Sequence, residues 1–173
     1  MSQGNAALVN GVSALDDYVH TVVRALMIQT ADGARPRTDA FERFPVPLQS
    51  ALQASYLPAA IWLDQTVMTQ HAHASFQQPD KIADAIRLVS SQELWNQLPT
   101  VLGTPAKDLK TQLKLIIARR NQIVHEADCD PTPPHTRWAI LSSETADALD
   151  FLEALVNAID SLLGAADARA DVR

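Results

Sequence analysis

Arg120, Asn121 and His125 are the residues in this chain whose types and spacing best suit chemistry. A guanidinium stays charged at any physiological pH and presents planar donors that match a phosphate. An imidazole gains and loses a proton near neutrality. Within one helix, Asn121 and His125 stand one turn apart on the same side. Upstream, Lys107, Lys110 and Lys114 fall on that side too. At ~100° per residue, these residues and Ala118 lie within an arc of roughly 80°. A row of cations leading to an amide and an imidazole suits a polyanion that is held and then has a proton moved on it.

A second face of this stretch is apolar. Leu109, Leu113, Ile116, Ile117, Val124 and Ala127 recur at steps of three and four, which predicts a long amphipathic helix. This helix reads as the one the chain is organised around. Arg120 falls inside the apolar stripe, where an unpaired guanidinium is costly. Two explanations stand. Arg120 pairs with a core carboxylate such as Asp16, Asp17 or Asp64, or it lies at a seam between two copies where a ligand enters. His125, near the helix end, equally suits a favourable cap on the helix dipole. Arg119 points away from the lysine row and is a further candidate substrate contact. Glu126, Asp128 and Asp130 crowd the motif with negative charge, which favours a protonated His125 and opposes RNA.

At 173 residues the chain predicts one domain, 1–173, with a polar tail fraying over about 164–173. It is 47% hydrophobic, enough for a core. The net charge of −6 excludes a globally basic nucleic-acid binder, so any polyanion must meet a local patch. Three of the chain's four lysines stand on the row described above. The single cysteine, Cys129, allows no internal disulfide. No charged segment followed by an apolar run opens the sequence, and no stretch approaches a membrane span, so a cytoplasmic location is expected.

The helical periods predict an all-α bundle of four long helices and one or two short ones. The first covers about 6–29. A second runs from Leu48 to about Phe76, with Leu52, Tyr56, Leu63 and Val67 on its apolar side and Pro58 as a kink or a start. Pro79 opens a short helix, and Ser90 with Glu93 has the spacing of a capping box for another that ends at Gly103. Thr104 is the expected cap of the central helix. A last helix begins at Ser143 or Thr145 and runs through Leu163. His71 and His73 are two residues apart and do not suit one metal ion. No metal or cofactor is expected. Trp62, Trp95 and Trp138 lie among apolar neighbours and read as core.

The run RRNQIVHEADCDP resembles the HEPN superfamily, whose signature is an arginine, four to six residues, and a histidine, often with a polar residue after the arginine. Here these are Arg120, Asn121 and His125. The runs SFQQPDKIADAIRLVSSQELW and TRWAI are similar to the bacterial RiboL-PSP-HEPN branch, so the likeness covers roughly residues 75–140. The resemblance implies a helical bundle, a homodimer with two Arg–His motifs facing one cleft, and metal-independent endoribonuclease activity. It implies His125 as proton carrier, Arg120 as phosphate holder and Asn121 as an aid to either. The implied setting is a toxin or phage-defence system, with an antitoxin such as a small nucleotidyltransferase. The rival reading is a non-catalytic HEPN-like module that dimerises and binds a partner or a nucleotide.

Overall fold

A computed structural model describes the backbone of residues 3–125 and 142–170, and the side chains of 3–124 and 143–164. Among the described residues all regular structure is helical: α1 (Gln3–Ala31), α2 (Asp39–Glu42), α3 (Leu48–Gln53), α4 (Ala59–His71), α5 (Pro79–Arg87), α6 (Leu94–Leu102), α7 (Ala106–His125) and α8 (Ser142–Ala170). The all-α bundle is as the periods predict.

The hub is α1 rather than α7. Helix α1 packs against α4, α5, α7 and α8, while α6 closes the far side against α7 and α8. Its sequence makes this possible. Leu8, Val12, Leu15, Val19, Val23 and Met27 follow one another at three or four residues, and each is almost wholly shielded. Apolar contact on that stripe and its neighbours supplies most of the helix's stability, as propensity alone does not.

Side-chain pairs fix the directions. Along α1 and α8, Gly4 faces Thr145, Gly11 faces Leu149 and Leu152, and the Tyr18 hydroxyl donates to Asp160 at 3.3 Å. The partners advance together, so the two helices are parallel. The approach is close at Gly11, where a Cβ would stand 2.5 Å from a Leu149 methyl and that side chain would have to shift. Along α1 and α4 the order reverses. Asp16 accepts from the Phe76 amide at 2.6 Å, and Arg24 meets Asp64 at 3.2 Å. These helices are antiparallel.

Four short helices appear where one or two are expected. The predicted helix over Leu48–Phe76 is broken, because Pro58 serves as the N-cap of α4 and cannot continue α3. Leu52 and Tyr56, expected on its buried side, are exposed. Phe41 lies in α2, capped by Thr38, whose hydroxyl accepts from the Phe41 amide, and Phe44 follows the helix. The capping box at Ser90 does not form. Glu93 is the N-cap of α6, and Ser90 accepts from the Gln92 amide within the preceding turn. Gly103 ends α6 in the left-handed region at φ 67°. Pro105, not Thr104, caps α7, since its carbonyl accepts from Asp108 and Leu109. Helix α8 continues to Ala170, into the tail expected to fray.

Trp95 is core, as predicted, and its indole N–H donates to the Pro79 carbonyl at 2.9 Å, tying α6 to the start of α5. Trp95→Phe leaves that carbonyl without its donor and is expected to cost about 1–2 kcal/mol, read as a lower urea midpoint at unchanged m. Trp62 is half-buried, and Trp138 lies outside the described residues.

Candidate functional site

The site is carried by α7. Leu109, Leu113, Ile116 and Ile117 bury the face that meets the bundle. Arg120 continues that face one turn past Ile116, so its stem lies over apolar surface and its head must turn toward an edge. The last turn departs from the expected stripe: Ile123 is buried, while Val124 is 46% exposed. At ~100° per residue, Ile123 and Val124 fall on opposite flanks of the Arg120 line, and in this last turn only the Ile123 flank is covered.

Arg120 is half-buried. Its Nη1 donates to Asn121 Oδ1 at 3.1 Å, and its Nε is shielded from solvent with no acceptor among the described residues. Two of the three carboxylates offered as partners are engaged elsewhere, and the third, Asp17, is exposed. Asp16 holds the Phe76 amide and Gln77, Asp64 holds Arg24, and Asp17 lines a cleft between α1 and α4. Arg120 therefore sits in the buried face without a carboxylate among the described residues. Its bond to Asn121 occupies the amide oxygen, which leaves the Asn121 NH2 group to donate to an incoming oxygen or nitrogen. His125 is the last residue of α7, one turn beyond Asn121. Its side chain, together with Glu126, Ala127, Asp128, Cys129 and Asp130, lies outside the described residues.

Helix α7 carries five cations, Lys107, Lys110, Lys114, Arg119 and Arg120, against Asp108 alone. The lysine row is not uniform. Lys107 and Lys114 are exposed, whereas Lys110 is half-buried with its ammonium 5.5 Å from the Trp95 ring. Lys110 also adds to the pull of Arg87, which holds the Glu93 carboxyl below its usual range. Arg119 Nη1 reaches Gln122 Oε1 at 3.5 Å, off the lysine side, as expected. No family model, curated protein or solved structure matches this chain.

One arrangement escapes sequence reasoning. His20 on α1 and His71 at the end of α4 come together around Phe76, with ring centroids 4.4 and 5.1 Å from the phenyl and 6.0 Å from each other. They edge a cleft of about 360 Å³ that Asp17 and Arg24 also line. The two histidines are 51 residues apart, so no spacing signals the pair. No cluster of three or more metal-ligating side chains occurs among the described residues. Burial, and next the neighbouring His20, pulls the His71 imidazole below its ordinary value. The folded chain then resists a proton that the unfolded chain accepts near the usual pKa of about 6.5. Below that pH the unfolded state binds more protons, so stability is expected to fall as pH drops from 7 through the lowered value and to level off beneath it. Urea midpoints between pH 7.5 and 5 read this, and His71→Gln should flatten the slope.

Proposed function

We propose that the chain is a metal-independent endoribonuclease of the HEPN type, acting in the cytoplasm as a homodimer. The observation that carries this reading is Arg120: a guanidinium kept in the buried face of α7, with no carboxylate among the described residues, bonded to an amide one turn from a histidine. A half-buried cation with no carboxylate among the described residues costs stability rather than adding it. A phosphate that arrives with the substrate compensates it.

In this mechanism Arg120 binds a phosphodiester oxygen and takes up the charge that grows as phosphorus becomes five-coordinate. One imidazole removes the proton from the ribose 2′-hydroxyl, and the 2′-oxygen attacks the adjacent phosphorus. The bond to the 5′-oxygen breaks, and the imidazole of the second copy supplies the proton to that leaving oxygen. The products are a cyclic 2′,3′-phosphate and a 5′-hydroxyl. Asn121 donates through its NH2 group to the phosphate or steadies His125. Lys107 and Lys114 hold flanking phosphates, with Lys110 and Arg119 contributing secondarily because part of each already serves the chain itself.

The setting that fits is a toxin or phage-defence effector held in check by a partner protein, for instance of the nucleotidyltransferase type. The test is incubation of the purified protein with total RNA and tRNA in EDTA, with cyclic phosphate ends as the product to be detected. RNA left intact by the wild type, or cleaved only when magnesium is added, overturns the nuclease reading. A non-catalytic dimeric or nucleotide-binding module then takes its place.

A further inference from the structure

From Phe44 to Pro79 the chain runs 36 residues with one Asp, Glu, Lys or Arg side chain, Asp64, which is paired with Arg24. This stretch also holds most of the large apolar side chains left in water among the described residues. Leu48 is 77% exposed, Leu52 63%, Tyr56 69%, Ile61 51% and Met68 52%. No residue of α3 is buried, and α3 leans on α4. Leu48 and Leu52 are one turn apart on α3. Ile61 and Met68, two turns apart on α4, face away from the buried side that carries Ala59, Leu63 and Val67. Helix α4 is thus apolar on both sides while one side is uncovered, a pattern expected of a helix that is enclosed.

With about 200 Å² for each fully exposed large side chain, these five and Val46 leave roughly 700 Å² of surface in water. That approaches the ~800 Å² per partner of a standard protein interface. The patch is also held ready. Pro45, Pro47 and Pro58 restrict the chain on both sides of α3, and the Gln70 amide donates to the Pro45 carbonyl. A surface fixed before contact loses little entropy on docking.

Charge selects the occupant. RNA finds no cation on this stretch, and an anionic membrane finds no Lys or Arg to attract it. Two copies of a chain of net charge −6 repel each other over most of their surface. They approach at least cost where charge is absent, and interface centres are depleted of charge. We propose that the α3–α4 face is a seam between two copies of this chain, joined isologously through Leu48, Leu52, Tyr56, Ile61 and Met68. This seam is separate from the composite site on α7 and does not depend on it. A chain with both seams closes into a tetramer where their two-fold axes meet at right angles; a chain with this one alone makes a dimer.

Light scattering at micromolar concentration tests the seam on wild type and two double variants, Leu52→Glu/Tyr56→Glu and Ile61→Glu/Met68→Glu. All four sites are exposed, so each variant keeps the wild-type circular dichroism. Each should show half the wild-type mass: a tetramer falls to a dimer, or a dimer to a monomer of 18.9 kDa. A monomeric wild type, or a folded double variant that keeps the wild-type mass, overturns the proposal. RNA cleavage in EDTA is read on the same samples. The α7 reading alone fails if no sample cleaves yet the mass halves, and the seam alone fails if cleavage stands and the mass does not change.

Discussion

His125→Ala is expected to lower metal-free RNA cleavage by at least about 10²-fold while the fold survives, because general acid–base assistance typically contributes 10²–10⁴. The substitution sits at the last residue of α7, beyond the buried face that ends at Ile123, so the urea midpoint should hardly move. The wild-type rate should follow a bell against pH. One imidazole must be neutral to accept the 2′-proton, and its counterpart in the second copy must be charged to protonate the leaving oxygen. Mixing the His125→Ala chain with an Arg120→Ala chain should give back little activity if both motifs serve one cleft. Lys107→Ala and Lys114→Ala act differently. Each should weaken RNA binding modestly and reduce its salt dependence, with kcat nearly unchanged, since a flanking phosphate contact positions the strand without touching the reacting atoms. A His125→Ala protein that cuts RNA as the wild type does would end the catalytic assignment.

Helix positions and apolar faces were legible because each is a periodic signal carried by the residues themselves. The stripe from Leu109 to Ile117 and the core of α8 at Leu152, Leu155, Ile159 and Leu163 lie where their spacing puts them. What spacing does not carry is the number of neighbours. The regular pattern of α7 resembles that of α1, yet α1 touches four other helices and is the hub. Apolar character likewise does not say what covers it. Leu52 and Tyr56 continue the helical period of the α3–α4 stretch, and yet they face solvent, because the helix is broken at Pro58 and the period does not carry across it. At the site, the sequence marks Arg120 as a cation in an apolar stripe and offers Asp16, Asp17 and Asp64 as partners. Only three-dimensional packing reveals that Asp16 is committed to the Phe76 amide and Asp64 to Arg24. The His20–His71 pair around Phe76 had no signal at all, as it forms when two antiparallel helices bring distant residues side by side.

Arg120→Met separates the two explanations of that arginine more sharply than alanine does. Methionine keeps much of the volume, fills irregular apolar space and needs no hydrogen-bond partner. Next to Ile116, Ile117 and Ile123 it replaces a guanidinium whose Nε is shielded and has no acceptor among the described residues. Removing a partly desolvated charge of this kind is expected to stabilise the chain by about 1–2 kcal/mol. For a chain of this size that raises the midpoint of thermal unfolding by roughly 2–8 °C. The same substitution removes the phosphate donor, so cleavage should fall by at least about 10²-fold. A more stable and inactive protein means that Arg120 is kept for what it does to a ligand, at a cost to the fold. The opposite outcome, an unstable Arg120→Met protein, would mean that the guanidinium holds the chain together. Arg120→Lys completes the comparison. It keeps the charge and loses the planar fork, so a phosphate clamp loses activity while a simple electrostatic role does not.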